Sequence, residues 1–282
     1  MRVATLLAVL LAALVAGCGG DDVEGEVRER TERVQDEVAR QRERLRDRIR
    51  EVLSQIERAL PEAQVTSPRV QSRGRTEGRD VDAFLSDVFA SVDSYWKRTF
   101  RASDLPEPRV RHYWLAPGER IITRCGPASD EAAYYCSVDD RIYVSRQFAA
   151  DLWDGVARGL PGQSAGVGRA AGDFGVAYVV AHEYGHNIQD ELNLFTLRRG
   201  RSAEPFELQA DCFAGAWGNS VYVEGRLEPG DVEEAMATAL AVGDFDVGND
   251  QHHGTPEQRR AAWLEGFQSG DASVCQKYVP TN

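Results

Sequence analysis

The chain has 282 residues, of which 42% are hydrophobic and 28% charged, and its formal net charge is −12. The excess of acid lies in residues 81–282, because fifteen basic and fifteen acidic residues cancel in the first 80. Such an acidic domain repels polyanions, which argues against a nucleic-acid partner, and two hundred residues are enough to bury a full core.

The N-terminus predicts export and lipid attachment. The chain begins Met-Arg, residues 3–16 are almost wholly apolar, and the sequence LVAG leads into Cys18. This resembles a bacterial lipoprotein signal, in which residues 1–17 are removed and Cys18 carries the lipid. A transmembrane helix is the alternative, but the apolar run is shorter than the roughly eighteen residues that a span needs. We therefore expect an extracytoplasmic protein that is anchored to the cell membrane as a bacterial lipoprotein.

A highly charged segment follows the lipidation site. Residues 21–60 contain twelve acidic residues and ten arginines, with a narrow apolar stripe at helical spacing. Because the two signs of charge alternate, residues 18–60 are predicted to form a solvent-exposed helical stalk, whose stripe would allow self-association. Residues 61–78, rich in Pro, Ser, Arg and Gly, are predicted to be a flexible linker, and residues 79–282 a folded domain.

The folded domain is predicted to mix helices with a small sheet. Residues 81–100 have apolar side chains four apart, which predicts an amphipathic helix. Residues 109–114, 118–122 and 141–144 are rich in Tyr, Ile and Val and are predicted strands. Residues 162–172 contain four glycines and are interpreted as a mobile rim loop before the next helix. This order of elements predicts an α+β fold.

Residues 182–186 read His-Glu-Tyr-Gly-His. On a helix, His182 and His186 lie on one face a turn apart, so both rings can point a nitrogen at one metal ion. Glu183 then lies beside the metal, where a carboxylate can take a proton from a zinc-activated water and return it to a leaving amine. The preceding residues 174–181 are small and apolar, which favours a buried metal helix. Two core histidines beside an unrelated glutamate are the alternative.

A second motif, Glu-Leu-Gln-Ala-Asp, supplies the remaining ligand. Glu207 is predicted to be the third metal ligand, which leaves the fourth tetrahedral position to water, as in a catalytic zinc site. Asp211 lies on the same helix face and is predicted to accept the free ring N–H of a ligating histidine. Glu204 competes for the ligand role, but Pro205 biases its backbone away from helix. A solvated helix face is the alternative, yet the surrounding residues are largely apolar, and buried carboxylates need partners.

Both motifs resemble those of the gluzincin zinc peptidases, and the chain is more closely similar to a bacterial family called putative neutral zinc metallopeptidases. The resemblance implies a zincin-like catalytic domain, in which metal-binding helices pack on a small sheet and hold one Zn²⁺ per chain. It assigns His182, His186 and Glu207 as ligands and Glu183 as catalytic base. The resemblance covers roughly residues 79–282, and its matching blocks are residues 125–127, 135–136, 141–144, 181–189, 207–215 and 253–259.

A candidate donor to the developing oxyanion lies near the C-terminus. Thr255 and Pro256 are predicted to be the N-cap and first residue of a helix, with His253 just before it. His253 is our candidate catalytic residue for this role, because membrane-bound gluzincins carry a similar histidine segment close to their metal. A histidine that only helps to cap the helix is the alternative. Tyr178 and Tyr184 are weaker candidates for the donor.

Besides the lipidated cysteine, four cysteines remain, and an even number in an exported chain predicts disulfides. Four cysteines allow three pairings. We expect Cys125 to pair with Cys136 across a turn-rich loop at residues 126–130, and Cys212 to pair with Cys275, which would tie the second motif to the C-terminal segment. A thiolate ligand at Cys212 is the alternative, but it is not needed beside two histidines and a glutamate.

These features predict a membrane-anchored extracytoplasmic zinc metallopeptidase that hydrolyses peptide bonds in a peptide or protein substrate. The alternative is a non-catalytic or weakly catalytic zinc-binding envelope lipoprotein that recognises peptides or a protein partner. Glu183 favours the enzyme, because a pure binding site needs no base beside the metal. A zinc amidase that acts on a cell-wall or small-molecule amide would share the same ligands.

Overall fold

A computed structural model describes residues 80–164, 172–198 and 202–279 of the chain. The predicted signal peptide, the lipidated Cys18, the stalk and the linker lie outside these residues. Of the predicted rim loop, residues 165–171 also lie outside them. Among the described helices, none is both long enough and apolar enough to cross a membrane.

The first helix, α1 (Val81–Ala102), confirms the predicted amphipathic helix and extends two residues beyond it. The carboxylate of Asp80 caps its N-terminus by accepting from the backbone N–H of Ala83 at 2.9 Å. Its apolar side chains recur every three or four residues and face the core. The buried positions are Leu85, Val88, Phe89, Val92, Trp96 and Phe100.

The strands form one small sheet and one separate hairpin. Strands β1 (Arg111–Leu115), β5 (Arg141–Ser145) and β4 (Ala133–Cys136) form a sheet in the order β1-β5-β4. In that sheet β1 runs parallel to β5, and β4 runs antiparallel to β5. Strands β2 (Ile121–Thr123) and β3 (Gly126–Ala128) pair antiparallel with each other. The edge strand β4 borders the central helix of the domain.

Two details of the predicted β-structure were wrong. The strand predicted at residues 118–122 is shorter, and it pairs in the hairpin instead of joining the sheet. The loop predicted at residues 126–130 contains β3, and β4 was not predicted. Strands of three or four residues carry too little pattern to be detected locally, because their pairing with a partner strand defines them.

Helix α4 (Asp173–Glu191) lies at the centre of the domain, where it contacts α1, strand β4 and the helices Arg146–Trp153, Glu204–Val223 and Asp231–Val242. Every residue from Phe174 to Gly185 is buried, which explains why this stretch of sequence is apolar on all sides. The structure is therefore α+β, with the first predicted metal helix packed on a small sheet and the second, Glu204–Val223, packed on the first. The remaining helices are α2 (Arg146–Trp153), α3 (Pro161–Ser164), α4 (Asp173–Glu191), α5 (Glu204–Val223), α6 (Asp231–Val242), α7 (Pro256–Ser269) and the 3₁₀ helices Leu194–Arg198 and Ala272–Lys277.

Glycines allow three of these helices to touch backbone to backbone. A Cβ atom at Gly185 of α4 would lie 3.0 Å from the Cα atom of Ala210 on α5. Between α5 and α7, a Cβ atom at Gly215 would lie 2.0 Å from the carbonyl oxygen of Trp263, and one at Gly266 would overlap α5. These close crossings bring the polar side chains of α4, α5 and α7 within hydrogen-bonding distance.

Both disulfides expected from the sequence are present. Cys125 is bonded to Cys136 at the end of β4, and Cys212 of α5 is bonded to Cys275 in the C-terminal 3₁₀ helix. The second bond rules out the alternative in which Cys212 supplies a thiolate to a metal.

Candidate metal centre

Helices α4 and α5 bring three predicted ligands together. The Nε2 atom of His182 lies 3.2 Å from one carboxylate oxygen of Glu207, and Nε2 of His186 lies 3.5 Å from the other. The three ligand atoms all lie within 4.8 Å of one another. The side chain of His182 is 7% exposed, that of His186 14% and that of Glu207 12%, so the cluster is shielded but reachable from solvent.

These distances fit a zinc ion. Zinc binds nitrogen and carboxylate oxygen at about 2.0–2.2 Å, so neighbouring ligands of a tetrahedral ion lie about 3.3 Å apart. The two nitrogen-to-oxygen distances lie on either side of that value. Two imidazoles and one carboxylate are also a ligand set that zinc enzymes use with a water molecule in the fourth position.

Each histidine has a hydrogen-bond acceptor behind its ring. Nδ1 of His182 lies 2.8 Å from Asp211, as predicted, and Nδ1 of His186 lies 2.9 Å from the side-chain oxygen of Gln189. With hydrogen on Nδ1, both rings present an unprotonated Nε2 towards Glu207. Sequence reasoning missed Gln189, although a polar residue three positions after His186 on a buried helix was a usable signal.

A buried arginine on α7 binds Asp211, the carboxylate that contacts the ring of His182. Nε and Nη2 of Arg259 lie 2.8 and 2.9 Å from the two oxygens of Asp211, and the Tyr178 hydroxyl donates to the same carboxylate. Burial by itself disfavours a charged Asp211, but Arg259 and His182 outweigh it and lower the pKa of Asp211. Sequence reasoning assigned no role to Arg259, because its contact with Asp211 joins residues 48 positions apart.

The electrostatics of the site favour a cation. Burial tends to lower the pKa of His182, but the carboxylate of Asp211 outweighs it and raises the pKa to about 9. Burial tends to raise the pKa of Glu207, but the two histidines hold it well below its ordinary value. In the absence of metal, protons therefore supply the positive charge that the carboxylates require. A bound metal ion would replace those protons.

Glu183 lies in the same cleft as the three ligands. Its side chain is buried, and one carboxylate oxygen accepts from the backbone N–H of Tyr135 on β4 at 2.8 Å. Burial raises the pKa of Glu183, in the direction that suits a group that takes and returns a proton near neutral pH. The cleft measures about 620 Å³, a size typical of ligand sites. Its polar lining includes His182, Glu183, His186, Glu207, His253 and Arg259.

Comparison with known proteins identifies the family to which the chain belongs. Residues 48–278 match the family model described as "Putative neutral zinc metallopeptidase". The chain belongs to this zinc metallopeptidase family. It is 30% identical over 245 residues to the uncharacterized protein YpfJ of Escherichia coli, covering 78% of this chain and 79% of YpfJ. It is 34% identical over 214 residues to the uncharacterized protein Rv2575 of Mycobacterium tuberculosis, covering 67% of each. No solved structure matches the chain.

In this zinc metallopeptidase family member, His253 lines the metal cleft with a half-exposed side chain. Its backbone N–H donates to Asp244 at 2.9 Å, and its Nδ1 lies 3.3 Å from the same carboxylate. The alternative capping role is already filled, because Thr255 and Gln258 form a reciprocal capping box at the start of α7. His253 therefore remains available to the cleft, held by an aspartate that the sequence analysis did not identify.

The competing candidates already have other hydrogen-bond partners. Tyr184 is fully buried and donates to Asp93 of α1 at 2.9 Å, whereas Tyr178 donates to Asp211, so both hydroxyls are already engaged. Glu204 accepts from the Gln258 side chain and does not belong to the three-ligand cluster. The expected bias of its backbone away from helix was wrong. Glu204 is the first residue of α5, where the missing N–H of the following proline costs no hydrogen bond.

Proposed function

We propose that this chain is a membrane-anchored, extracytoplasmic zinc metallopeptidase that hydrolyses peptide bonds in peptides or proteins. One observation carries the proposal. His182, His186 and Glu207 converge at distances that fit zinc, and the buried carboxylate of Glu183 lies in the same cleft. A site that only bound metal would gain nothing from a second buried carboxylate with a raised pKa beside the ligands.

Each side chain has a distinct role in the proposed reaction. His182, His186 and Glu207 would hold zinc, which when bound polarises a carbonyl and lowers the pKa of a water. Glu183 would accept a proton from the attacking water and deliver it to the leaving amine. The N–H of Tyr135 holds one oxygen of Glu183 and leaves the other for this proton transfer.

His253 is the proposed donor to the oxyanion that forms when water adds to the peptide carbonyl. It lines the cleft from the segment just before α7, and Asp244 restrains its ring. The restraint is useful because a donor that is already oriented loses little freedom in the transition state.

The proposed location rests on the N-terminal sequence and on the cysteines. Residues 1–17 have the character of a lipoprotein signal and precede Cys18. Two disulfides are typical of proteins that fold in an oxidising compartment. If Cys18 carries the anchor, Cys18→Ser will move the protein from the membrane fraction to the soluble fraction after cell lysis. Unchanged membrane association would contradict the lipid anchor.

The catalytic proposal is tested by separating metal binding from hydrolysis. Elemental analysis of the full chain should give about one zinc per molecule, with most of it lost in His186→Ala. Glu183→Gln should retain zinc, but its cleavage of a random decapeptide mixture, read by mass spectrometry, should fall at least 10²- to 10⁴-fold. A wild type without zinc would refute the site, and undiminished cleavage by Glu183→Gln would refute the assigned base. Zinc binding without cleavage by the wild type would favour the binding lipoprotein.

A further inference from the structure

Buried side-chain amides position the ring of the proposed ligand His186 through its Nδ1 atom. Its Nδ1 lies 2.9 Å from the side-chain oxygen of Gln189, one turn further along α4. Gln189 is fully buried, and its amide nitrogen lies 2.7 Å from the carbonyl oxygen of Phe206 and 3.1 Å from the side-chain oxygen of Gln209. The amide nitrogen of Gln209, also buried, donates to the carbonyl oxygen of Cys275 at 3.2 Å. These groups connect the metal helix in series to the C-terminal segment.

Two backbone carbonyl groups, those of Cys275 and Phe206, determine how the two amides of this series are oriented. The carbonyl of Cys275 can only accept, so Gln209 must point its NH₂ group at it and its oxygen at Gln189. The NH₂ group of Gln189 donates both to the Phe206 carbonyl and to the oxygen of Gln209, so Gln189 must point its own oxygen at His186. An oxygen that can only accept requires hydrogen on Nδ1 of the ring, which leaves the lone pair of Nε2 facing Glu207.

The disulfide between Cys212 and Cys275 holds the end of the series in place. Cys212 lies three residues after Gln209 on α5, so the bond joins the helix that carries Gln209 to the segment that supplies its acceptor. The other disulfide, Cys125 to Cys136, lies on the β4 side of the cleft and contacts none of the groups in the series.

We propose that Gln189 and Gln209 form a hydrogen-bond relay that positions His186 for zinc, and that the Cys212–Cys275 disulfide sets its far end. The inference rests on the proposed zinc site and deepens it. Gln189 and Gln209 are positioning residues, because they touch neither metal nor substrate and act through the ring of His186. Zinc affinity therefore depends on two backbone carbonyl groups, that of Phe206 and that of Cys275, and the second lies 89 residues away in sequence from His186.

The test is a zinc titration of the full-length chain in detergent against a chromophoric chelator. Gln189→Met should raise the Kd for zinc about 10- to 100-fold, and Gln209→Met about tenfold, because outer hydrogen bonds of metal ligands contribute at this level. In a relay the double variant should bind no more weakly than Gln189→Met alone. Cys212→Ala with Cys275→Ala should also raise the Kd about tenfold. The matched controls, Gln147→Met and the pair Cys125→Ala with Cys136→Ala, should stay within about twofold of the wild type.

The outcomes separate the relay from the zinc site itself. Two outcomes would overturn the relay alone, provided that the wild type binds zinc normally. One is an unchanged Kd in Gln209→Met, and the other is a double variant in which the effects of the two glutamine substitutions strictly add. A wild type that binds no zinc would overturn both. One measurement requires no variant to fold. Nitrogen-15 NMR of the zinc-loaded wild type should show hydrogen on Nδ1 of His186 and the metal on Nε2, and a ring with hydrogen on Nε2 would overturn the relay.

Discussion

At the scale of single residues, Asp211 joins three side chains of the site. Its two oxygens accept from the ring of His182, from the guanidinium of Arg259 and from the hydroxyl of Tyr178. A fully buried carboxylate persists only when such partners replace its water. The same contacts fix the ring of His182, so the pairing that stabilises the charge also orients a ligand.

The role of His253 can be tested at the same scale. His253→Ala should lower kcat/KM for peptide cleavage about 10²- to 10³-fold, because one preorganised donor to an oxyanion contributes at this level. Zinc content should not change, since His253 is not part of the ligand cluster. Gln251→Ala, a change at an exposed residue two positions away, is the matched control. Unaltered kcat/KM would show that His253 only borders the cleft.

At the scale of helices, the site depends on the close crossing of α5 and α7. A Cβ atom at Gly266 would lie 1.9 Å from the carbonyl oxygen of Cys212, so Gly266→Ala forces the two backbones apart. We expect the free energy of unfolding to fall by about 1–3 kcal/mol, the usual cost of overpacking. Gly248→Ala, at an exposed position with no atom within 4 Å, should change it by less than about 0.5 kcal/mol. Equal urea midpoints for both variants would contradict this packing argument.

The N-terminus of α4 carries a second cluster, in which Asp173, Asp231 and Glu234 each place a carboxylate oxygen within 4.8 Å of the others. Burial raises the pKa of Asp231 to about 8 and that of Glu234 to about 7, and the neighbouring carboxylates add to both shifts. Burial also raises the pKa of Asp173. These groups keep protons in the folded state that the unfolded chain releases at lower pH.

This cluster predicts a pH dependence of stability with a definite sign. The contribution of the cluster to the free energy of unfolding is fully present below about pH 4, where the carboxyls are protonated in both the folded and the unfolded state. It is lost as the pH rises through 7 to 8. Urea unfolding at pH 6 and pH 8.5 should show that Asp231→Asn reduces this loss by about 1–2 kcal/mol relative to wild type. Asp250→Asn, at an exposed position, should leave the pH profile unchanged. A wild-type profile retained in Asp231→Asn would contradict the assignment.

At the scale of the whole molecule, zinc would link α4 to α5 through ligands on both helices. A ligand that binds only the folded state stabilises it by about 4 kcal/mol when its free concentration is 1,000 times its Kd. Removing zinc with a chelator should therefore lower Tm by roughly 8–16 °C for a domain of this size. His186→Ala should show little response to the chelator. A wild type whose Tm ignores both chelator and added zinc would contradict the metal centre.

Local patterns were sufficient to predict much of this domain. The four-residue spacing that places His182 and His186 on one helix face is a property of the helix itself, and the apolar period of residues 81–100 predicted α1 for the same reason. The α+β class and both disulfide pairs also followed from the sequence. The helix and the fold class depend on local spacing and on the order of elements, whereas the four cysteines allowed three pairings and the structure has the expected one.

Only the tertiary structure decided which distant groups serve the site. Arg259 reaches Asp211 from another helix, Tyr135 holds Glu183 from an edge strand, and Gln189 meets Gln209 across the crossing of α4 and α5. The strand β4 itself was missed, because four residues become a strand only by pairing with β5. Contacts of this kind arise from close helix crossings and sheet pairing between segments far apart in sequence, and no local period encodes which pairs will meet.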